Sequence, residues 1–298
     1  MNQIELAKNN HSSLPLVSVY IPTKNRQELL ANAIDSVLQQ TYPNIEILVV
    51  DDGSTDTTFE FLTHLANKHN NIVIFKNEVS KGACAARNIA IKHANGEFVT
   101  GLDDDDVFLP NRIASLVSAY DDKYAFVCSS MYWDYGKKKR IIDAKAGRIT
   151  LAQQLSYNEA TSQVLVKKER VLSIGGFDEQ FVACQDYDLW TRLLIKYGEA
   201  FRIATPSYIV NDTGSSERMI GHTSSVEGYL QYFDKHQHLM SKTNINNQTF
   251  MRIRRRREVL SIKELVKQLG SGHFYSKLRY FLSSNFKLIQ QLHQRHYK

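Results

Sequence analysis

The chain has 298 residues, 43% of them hydrophobic, and 37 Lys and Arg against 31 Asp and Glu give it a net charge of +6. That length holds one large or two modest domains with a full core, while the longest apolar runs, such as Ile47 to Val50, fall far short of the roughly 20 residues of a bilayer span. Met1 to Glu5 lack a signal-peptide core, and three scattered cysteines with no Cys-x-x-Cys argue against a disulfide framework or zinc site, so a cytoplasmic protein is expected.

From Leu16 onward, short apolar runs alternate with amphipathic stretches, the pattern of β-α-β units around a mainly parallel sheet. Leu16–Pro22 predicts the first strand. Asn25-Arg26-Gln27-Glu28 offers a capping box for a helix carrying Leu29, Leu30, Ala33, Ile34, Val37 and Leu38 at helical spacing. Ile45–Val50 predicts a second strand, followed by the turn Asp51 to Asp56 and a helix to about Asn67. Ile72–Phe75 predicts a third strand, Ala83–His93 an alanine-rich helix, and Phe98–Leu102 a fourth strand. Beyond Val127 the pattern loosens. Tyr132–Lys145 reads as an excursion or hairpin over the sheet, Ser162–Val166 as a strand, Gly175–Glu179 as a turn, Asp186–Tyr197 as an amphipathic helix, and Phe201–Ala204 as the last strand.

The fourth strand runs into Asp103-Asp104-Asp105-Asp106, four adjacent anions directly before a helix start at Pro110. Burying such a run costs free energy unless a cation sits among the carboxylates. Oxygen ligands select a hard ion, Mg²⁺ or Mn²⁺, and a Mg²⁺ site commonly completes its shell with substrate phosphates, so a diphosphate-bearing substrate is expected. Two further strand ends carry polar clusters, Pro22-Thr23-Lys24-Asn25 and Asp51-Asp52-Gly53. In an open α/β sheet ligands bind across the carboxyl ends of the strands, so all three clusters should line one crevice.

Seven segments in this order resemble glycosyltransferase family 2, the inverting enzymes of GT-A fold that use nucleotide-diphosphate sugars. They are Val17–Thr23, Ser36–Pro43, Val50–Asp56, Ala86-Arg87-Asn88, Leu102–Asp106, Gly175–Glu179 and Gln185–Trp190. The resemblance implies that Pro22, Thr23, Asn25 and Asp52 hold the nucleotide, with Asp52 able to accept the imide N–H of uracil or, alternatively, to cap its own turn. It also implies that Arg87 and Asn88 face the crevice, Arg87 pairing with Asp carboxylates or donor phosphate. Asp105 takes the metal-ligand position, with Asp103 and Asp104 nearer the ribose, although the fourth aspartate leaves the register open by one residue. Asp106 is expected to face away. Asp186 corresponds to the catalytic base, its position at a helix start also being explained by the helix dipole, and Gln185 replaces the commoner Glu before it. His222 resembles a late histidine that contacts metal or pyrophosphate in some relatives.

The resemblance thus implies transfer of one sugar from a nucleotide-diphosphate donor, UDP-linked by family frequency, to an acceptor hydroxyl. The natural acceptor is a glycan or polyprenyl-diphosphate-linked glycan of surface polysaccharide assembly. No Gln-x-x-Arg-Trp marks a processive synthase. The competing readings are a nucleotide-sugar-binding protein without transferase activity, which needs no Asp186, and a nucleotidyltransferase, which usually carries a glycine-rich loop after the first strand where this chain has Pro22-Thr23-Lys24-Asn25. The expected organisation is an N-terminal tail (1–14), a GT-A domain (15–225) and a basic, mainly helical C-terminal extension (226–298). Residues 251–298 hold twelve Lys and Arg against two Glu, a net of +10, which leaves the rest of the chain at −4. Val259, Leu260, Ile262, Leu265, Val266 and Leu269 interleave with Lys263 and Lys267 there, suiting either a peripheral position on the anionic inner face of the plasma membrane or packing on the catalytic domain with a solvated basic face. No nucleic-acid partner is expected, because no reading motif occurs and an acidic crevice repels phosphates without metal.

Overall fold

The computed structural model describes residues 14–161, 163–212 and 222–286, with the side chain of His222 outside that description. Four parallel strands, β1 (Val17–Thr23), β2 (Ile45–Asp51), β3 (Ile72–Lys76) and β4 (Phe98–Gly101), lie in the order β3-β2-β1-β4. Helices α1 (Gln27–Leu38) and α2 (Thr58–Lys68) lead outward from β1 to β3, and α3 (Ala83–His93) crosses back to place β4 on the other side of β1. That reversal opens a crevice between the ends of β1 and β4, the switch point where open α/β sheets bind ligands.

Alternation along β1 divides the core. Val17, Val19 and Ile21 pack with Leu30, Ala33, Ile34 and Val37 of α1 on one face, joined by Ile113 and Leu116 of α4 (Arg112–Ala119). Tyr20 points to the other face, among Ala86, Ala90 and Ile91 of α3 and Leu189, Trp190 and Leu193 of α7 (Gln185–Tyr197). The small residues of α3 let that helix approach the sheet closely. Cys84 and Cys128 are buried in this second cluster, where burial pushes both thiols up to about 12.

The second half extends the same sheet with mixed polarity. Strands β5 (Val107–Phe108), β6 (Val127–Asp134), β9 (Leu165–Lys167) and β10 (Ala200–Asn211) continue it in the order β4-β9-β6-β10-β5. Strand β7 (Lys139–Ile142) folds back antiparallel on β6, so the expected excursion is a hairpin within the sheet plane. Strand β8 (Gly147–Ile149) pairs with the start of β10. β10 is twelve residues long, where the sequence predicted four. Its register against β6 shifts between Ile203 and Tyr208, and Pro206 sits in that irregularity, where its missing N–H costs no ladder bond. The buried guanidinium of Arg112 pins the shift by donating to Ser129, Ser207 and the Gln163 carbonyl.

One expectation about a helix start changes. The capping box at Asn25–Glu28 does not form, because α1 starts at Gln27 without a side-chain cap and Asn25 adopts a left-handed φ of 54° that turns its side chain toward the next loop. Residue 226, where the C-terminal extension is expected to begin, lies within α8 (His222–His236). The extension continues as α9 (Lys242–Arg255), α10 (Ile262–Gln268) and α11 (Phe274–Asn285). These helices pack on the sheet domain. Tyr232 of α8 stacks on Tyr187 of α7 at 3.6 Å, and Asn244 and Gln248 of α9 donate to the Ala152 and Leu155 carbonyls of α5 (Leu151–Ser156). Lys277 is buried and donates to Asn247 and the Gln268 carbonyl, with burial lowering its pKa. On the outer side, Val259, Ile262 and Val266 are each more than half exposed.

Candidate active site

A cleft of about 900 Å³ opens at the carboxyl ends of β1 and β4. Pro22, Arg26, Lys81, Gly82, Arg87, the four aspartates 103 to 106 and Asp186 line it. The sheet thus brings the first strand end and the aspartate run together, as the convergence of strand ends requires. Gly101 permits this junction: a Cβ there would lie 2.1 Å from Gln163 Oε1 and 2.5 Å from the Tyr20 ring.

Each aspartate has its own environment. Asp103 Oδ1 accepts from Arg87 at 2.8 Å and from Gln163 at 3.3 Å. Asp104 accepts from the Thr23 hydroxyl at 2.8 Å and from Arg26 at 3.1 Å, and burial, opposed by Arg26, raises it to about 6. Asp105 pairs with the same Arg26 nitrogen at 2.9 Å, while burial and the charge of Asp103 push its pKa up. Asp106 is buried beneath them, accepting from the Tyr208 hydroxyl and the Asn211 N–H of β10; burial and its acidic neighbours push its pKa well above the usual carboxylate range, against the pull of those two donors. It anchors the turn to the sheet.

Sequence reasoning passed over Arg26, reading it only as part of a helix cap. Its guanidinium is the cation that the aspartate run needs, held between Asp104 and Asp105. The only signal available was a basic residue at the β1 end, opposite a strand end carrying four acids. Carboxylate oxygens are also the donors that a hard metal ion takes. Among the described residues no group of three His, Cys, Asp or Glu side chains forms a metal cage, so the donor set fits an ion held by one or two carboxylates together with substrate oxygens. His222 opens α8, but its side chain lies outside the described residues.

Asp52 and Asn88 require correction. Asp52 was expected to offer a lone pair to the nucleotide base, but its four acceptor positions are taken by Asn77, Ser80 and the N–H groups of Lys81 and Gly82, all at 2.7–2.8 Å. These donors outweigh burial and hold its pKa low. Asp52 therefore shapes the loop that forms one wall of the cleft. At the same strand end Asp51 Oδ2 is buried without a hydrogen-bond partner among the described residues. Asn88, expected in the crevice, instead clamps the glycine-rich turn: it accepts from the Phe177 N–H and donates to the Phe177 carbonyl and Glu179, and a Cβ on Gly176 (φ 71°) would strike its Oδ1 at 2.5 Å. Asn25 accepts from the Thr55 N–H and its own N–H donates to Ser54, tying the two loops of the nucleotide side together.

Arg87 connects the two sides of the cleft. One of its nitrogens donates to Asp103 and another to Gln185 at 2.8 Å, so the glutamine in place of the usual glutamate still serves as an acceptor. The next residue, Asp186, lies in the first turn of α7 and accepts from Asn158 at 3.0 Å. Burial raises Asp186 to about 6, reinforced by Asp103 and opposed by the Tyr187 N–H and Arg87. A carboxylate with that pKa is anionic at neutral pH yet basic enough to take a proton. Asp186 also borders a second, smaller chamber of about 330 Å³.

The model of the family described as Glycosyl transferase family 2 matches residues 18–176. Glycosyl transferase WcaA of Escherichia coli strain K12, named for colanic acid biosynthesis, is 32% identical over 82% of this chain and 88% of its own length. WfaP of Escherichia coli, named UDP-Glc:α-D-GlcNAc-diphosphoundecaprenol β-1,3-glucosyltransferase, is 32% identical over 61% of this chain and 72% of its own. Among solved structures, the mannosyltransferase PcManGT of Pyrobaculum calidifontis, in complex with GDP-Man and Mn²⁺, superposes with a TM-score of 0.60 at 18% identity, covering 96% of this chain and 80% of that one. That likeness is one of fold, of the GT-A type.

Proposed function

The chain belongs to glycosyltransferase family 2 and is a glycosyltransferase, and from that premise we propose that it moves one sugar, with inversion, from a UDP-sugar to a hydroxyl of a polyprenyl-diphosphate-linked glycan. The observation that carries this reading is Asp186, a half-buried carboxylate with a raised pKa that faces the aspartate-lined cleft on one side and a second chamber on the other. The WfaP name supplies the precedent for the donor and for the lipid-linked acceptor class.

The nucleotide lies against Pro22, Thr23 and Asn25 at the end of β1, with the Lys81–Gly82 loop as its wall. Asp103 and Asp104 stand toward the ribose. Asp105 would hold a Mn²⁺ or Mg²⁺ ion, with His222 a second candidate ligand. When bound, that ion neutralises charge on the diphosphate as it leaves. Arg26 and Arg87 supply the remaining positive charge on the donor side and keep the carboxylates from repelling the phosphates. Asp186 takes the proton from the acceptor hydroxyl as that oxygen attacks the anomeric carbon from the face opposite the leaving phosphate. Asn158 orients its carboxylate. Calorimetric titration of UDP and Mn²⁺ against wild type, Asp105→Ala and Asp186→Asn tests the division of labour: the first variant should lose metal-dependent binding and the second should keep it. Equal binding by all three would reject Asp105 as the ligand.

A further inference from the structure

The second chamber contains none of the four aspartates 103 to 106 in its lining. Its volume of about 330 Å³ lies at the lower end of ligand pockets and is enough for a single sugar ring. It shares Asp186, Asn158, Trp133, Ser225 and Arg255 with the donor cleft, so the two spaces meet at the proposed base. Its far wall is built by the C-terminal extension, from Tyr229 of α8 and Met251 and Arg255 of α9.

That wall is firmly held. The Tyr229 hydroxyl donates to Gln248, and Gln248 donates to the Leu155 carbonyl and the Tyr187 hydroxyl. Arg255 lies against the Tyr229 ring, 5.2 Å from its centre, and donates to the Ser225 hydroxyl. Its Nε is buried without a partner, and no carboxylate pairs with it among the described residues. Other cations stand close by. Burial, with the charges of Arg279 and Arg255, lowers the pKa of Arg254, so guanidinium groups gather at this wall, and Asp186 is the carboxylate that shares the chamber lining with Arg255. A guanidinium offers five donors in a fork suited to phosphate oxygens. Here at least one of them is buried and unused.

We infer that the chamber beyond Asp186 is the acceptor site, and that Arg255 binds the phosphate ester attached to the acceptor sugar while the aromatic wall takes the ring. The inference rests on Asp186 as the base, since the chamber matters for transfer only if the acceptor hydroxyl meets that carboxylate. It also gives the C-terminal extension a direct part in substrate recognition.

Equilibrium binding of two probes tests this without catalysis: N-acetylglucosamine joined through a diphosphate to a short isoprenoid, and the same sugar as a phosphate-free alkyl glycoside. Arg255→Ala should weaken the diphosphate probe about tenfold or more and leave the neutral glycoside unchanged, with Arg255→Lys falling between. Circular dichroism and thermal unfolding report whether the variants fold, and Arg255→Gln, which can still donate to Ser225, replaces the alanine variant if that one does not. Undiminished binding of the diphosphate probe by the folded variant, equal weakening of both probes, or no binding of the diphosphate probe by the wild type would overturn the inference. Asp186→Asn separates the two claims. It should bind the diphosphate probe normally and fail to transfer, and transfer at the wild-type rate would remove the base while leaving probe binding to judge the chamber.

Discussion

Replacing Asp186 by Asn changes one oxygen into an amide nitrogen and removes the proton acceptor. The side chain keeps an oxygen for the Asn158 amide, which donates to it at 3.0 Å. Loss of an anion from the first turn of α7 forfeits about 0.3–1 kcal/mol of helix-dipole stabilisation. Burial already disfavours that anion, so relief of desolvation offsets the loss and the unfolding temperature should move little. Catalysis behaves differently. With a pKa of about 6, Asp186 is anionic by roughly thirty to one at pH 7.5 and available to take the acceptor proton. A positioned base contributes about 10²–10⁴-fold, or ~2.7–5.5 kcal/mol of barrier. Initial rates of sugar transfer should therefore fall by that factor while the donor dissociation constant, measured by calorimetry, stays near wild type. Transfer within threefold of wild type would refute the assignment. A parallel loss of transfer and donor affinity would make Asp186 a structural residue.

Asp105→Ala should abolish metal-dependent UDP binding, and Asp104→Ala tested beside it settles the register: if only the Asp104 variant loses the metal, the ligand lies one residue earlier. The rate at saturating donor should drop about tenfold per pH unit below pH 6 and level off above it, because Asp186 acts only when deprotonated and its pKa is raised to about 6. An acid limb near pH 4 would contradict that raised pKa. The exposed positions Ile262 and Val266, with Lys263 and Lys267 on the same helix, allow a test of membrane docking that leaves the core intact. Serine at the first pair and glutamate at the second should cut binding to anionic vesicles more than tenfold, at about 1 kcal/mol per basic residue, and added salt should weaken the wild type. Vesicle binding equal to wild type would leave these helices with packing alone.

The first half of the fold was legible because hydrophobic alternation and turn chemistry agree there. β1 to β4 and their helices follow the sequence pattern to within a few residues. The second half was less so. β10 carries Pro206 and polar residues within a strand whose register is repaired by Arg112 from a different element, a relation no local window contains. The site divides in the same way. The aspartate run and Asp186 are visible as residue types at strand and helix ends. The partners that decide their roles are not: Arg26 reaches Asp104 across 78 positions, and Asp52 spends its lone pairs on a loop some 25 to 30 residues away. The second chamber was invisible for the strongest reason. Its far wall depends on α9 docking against α5 through Asn244 and Gln248, polar residues that read in sequence as solvent-facing.

The stereochemistry of the product tests the central claim most directly. Wild-type protein, Mn²⁺, an α-linked UDP-sugar and N-acetylglucosamine joined through a diphosphate to a short isoprenoid should yield a disaccharide whose anomeric proton coupling, read by NMR, reports a β linkage. That result is what in-line attack assisted by Asp186 predicts. An α-linked product would contradict it, because retention cannot arise from a single displacement with the base on the opposite face.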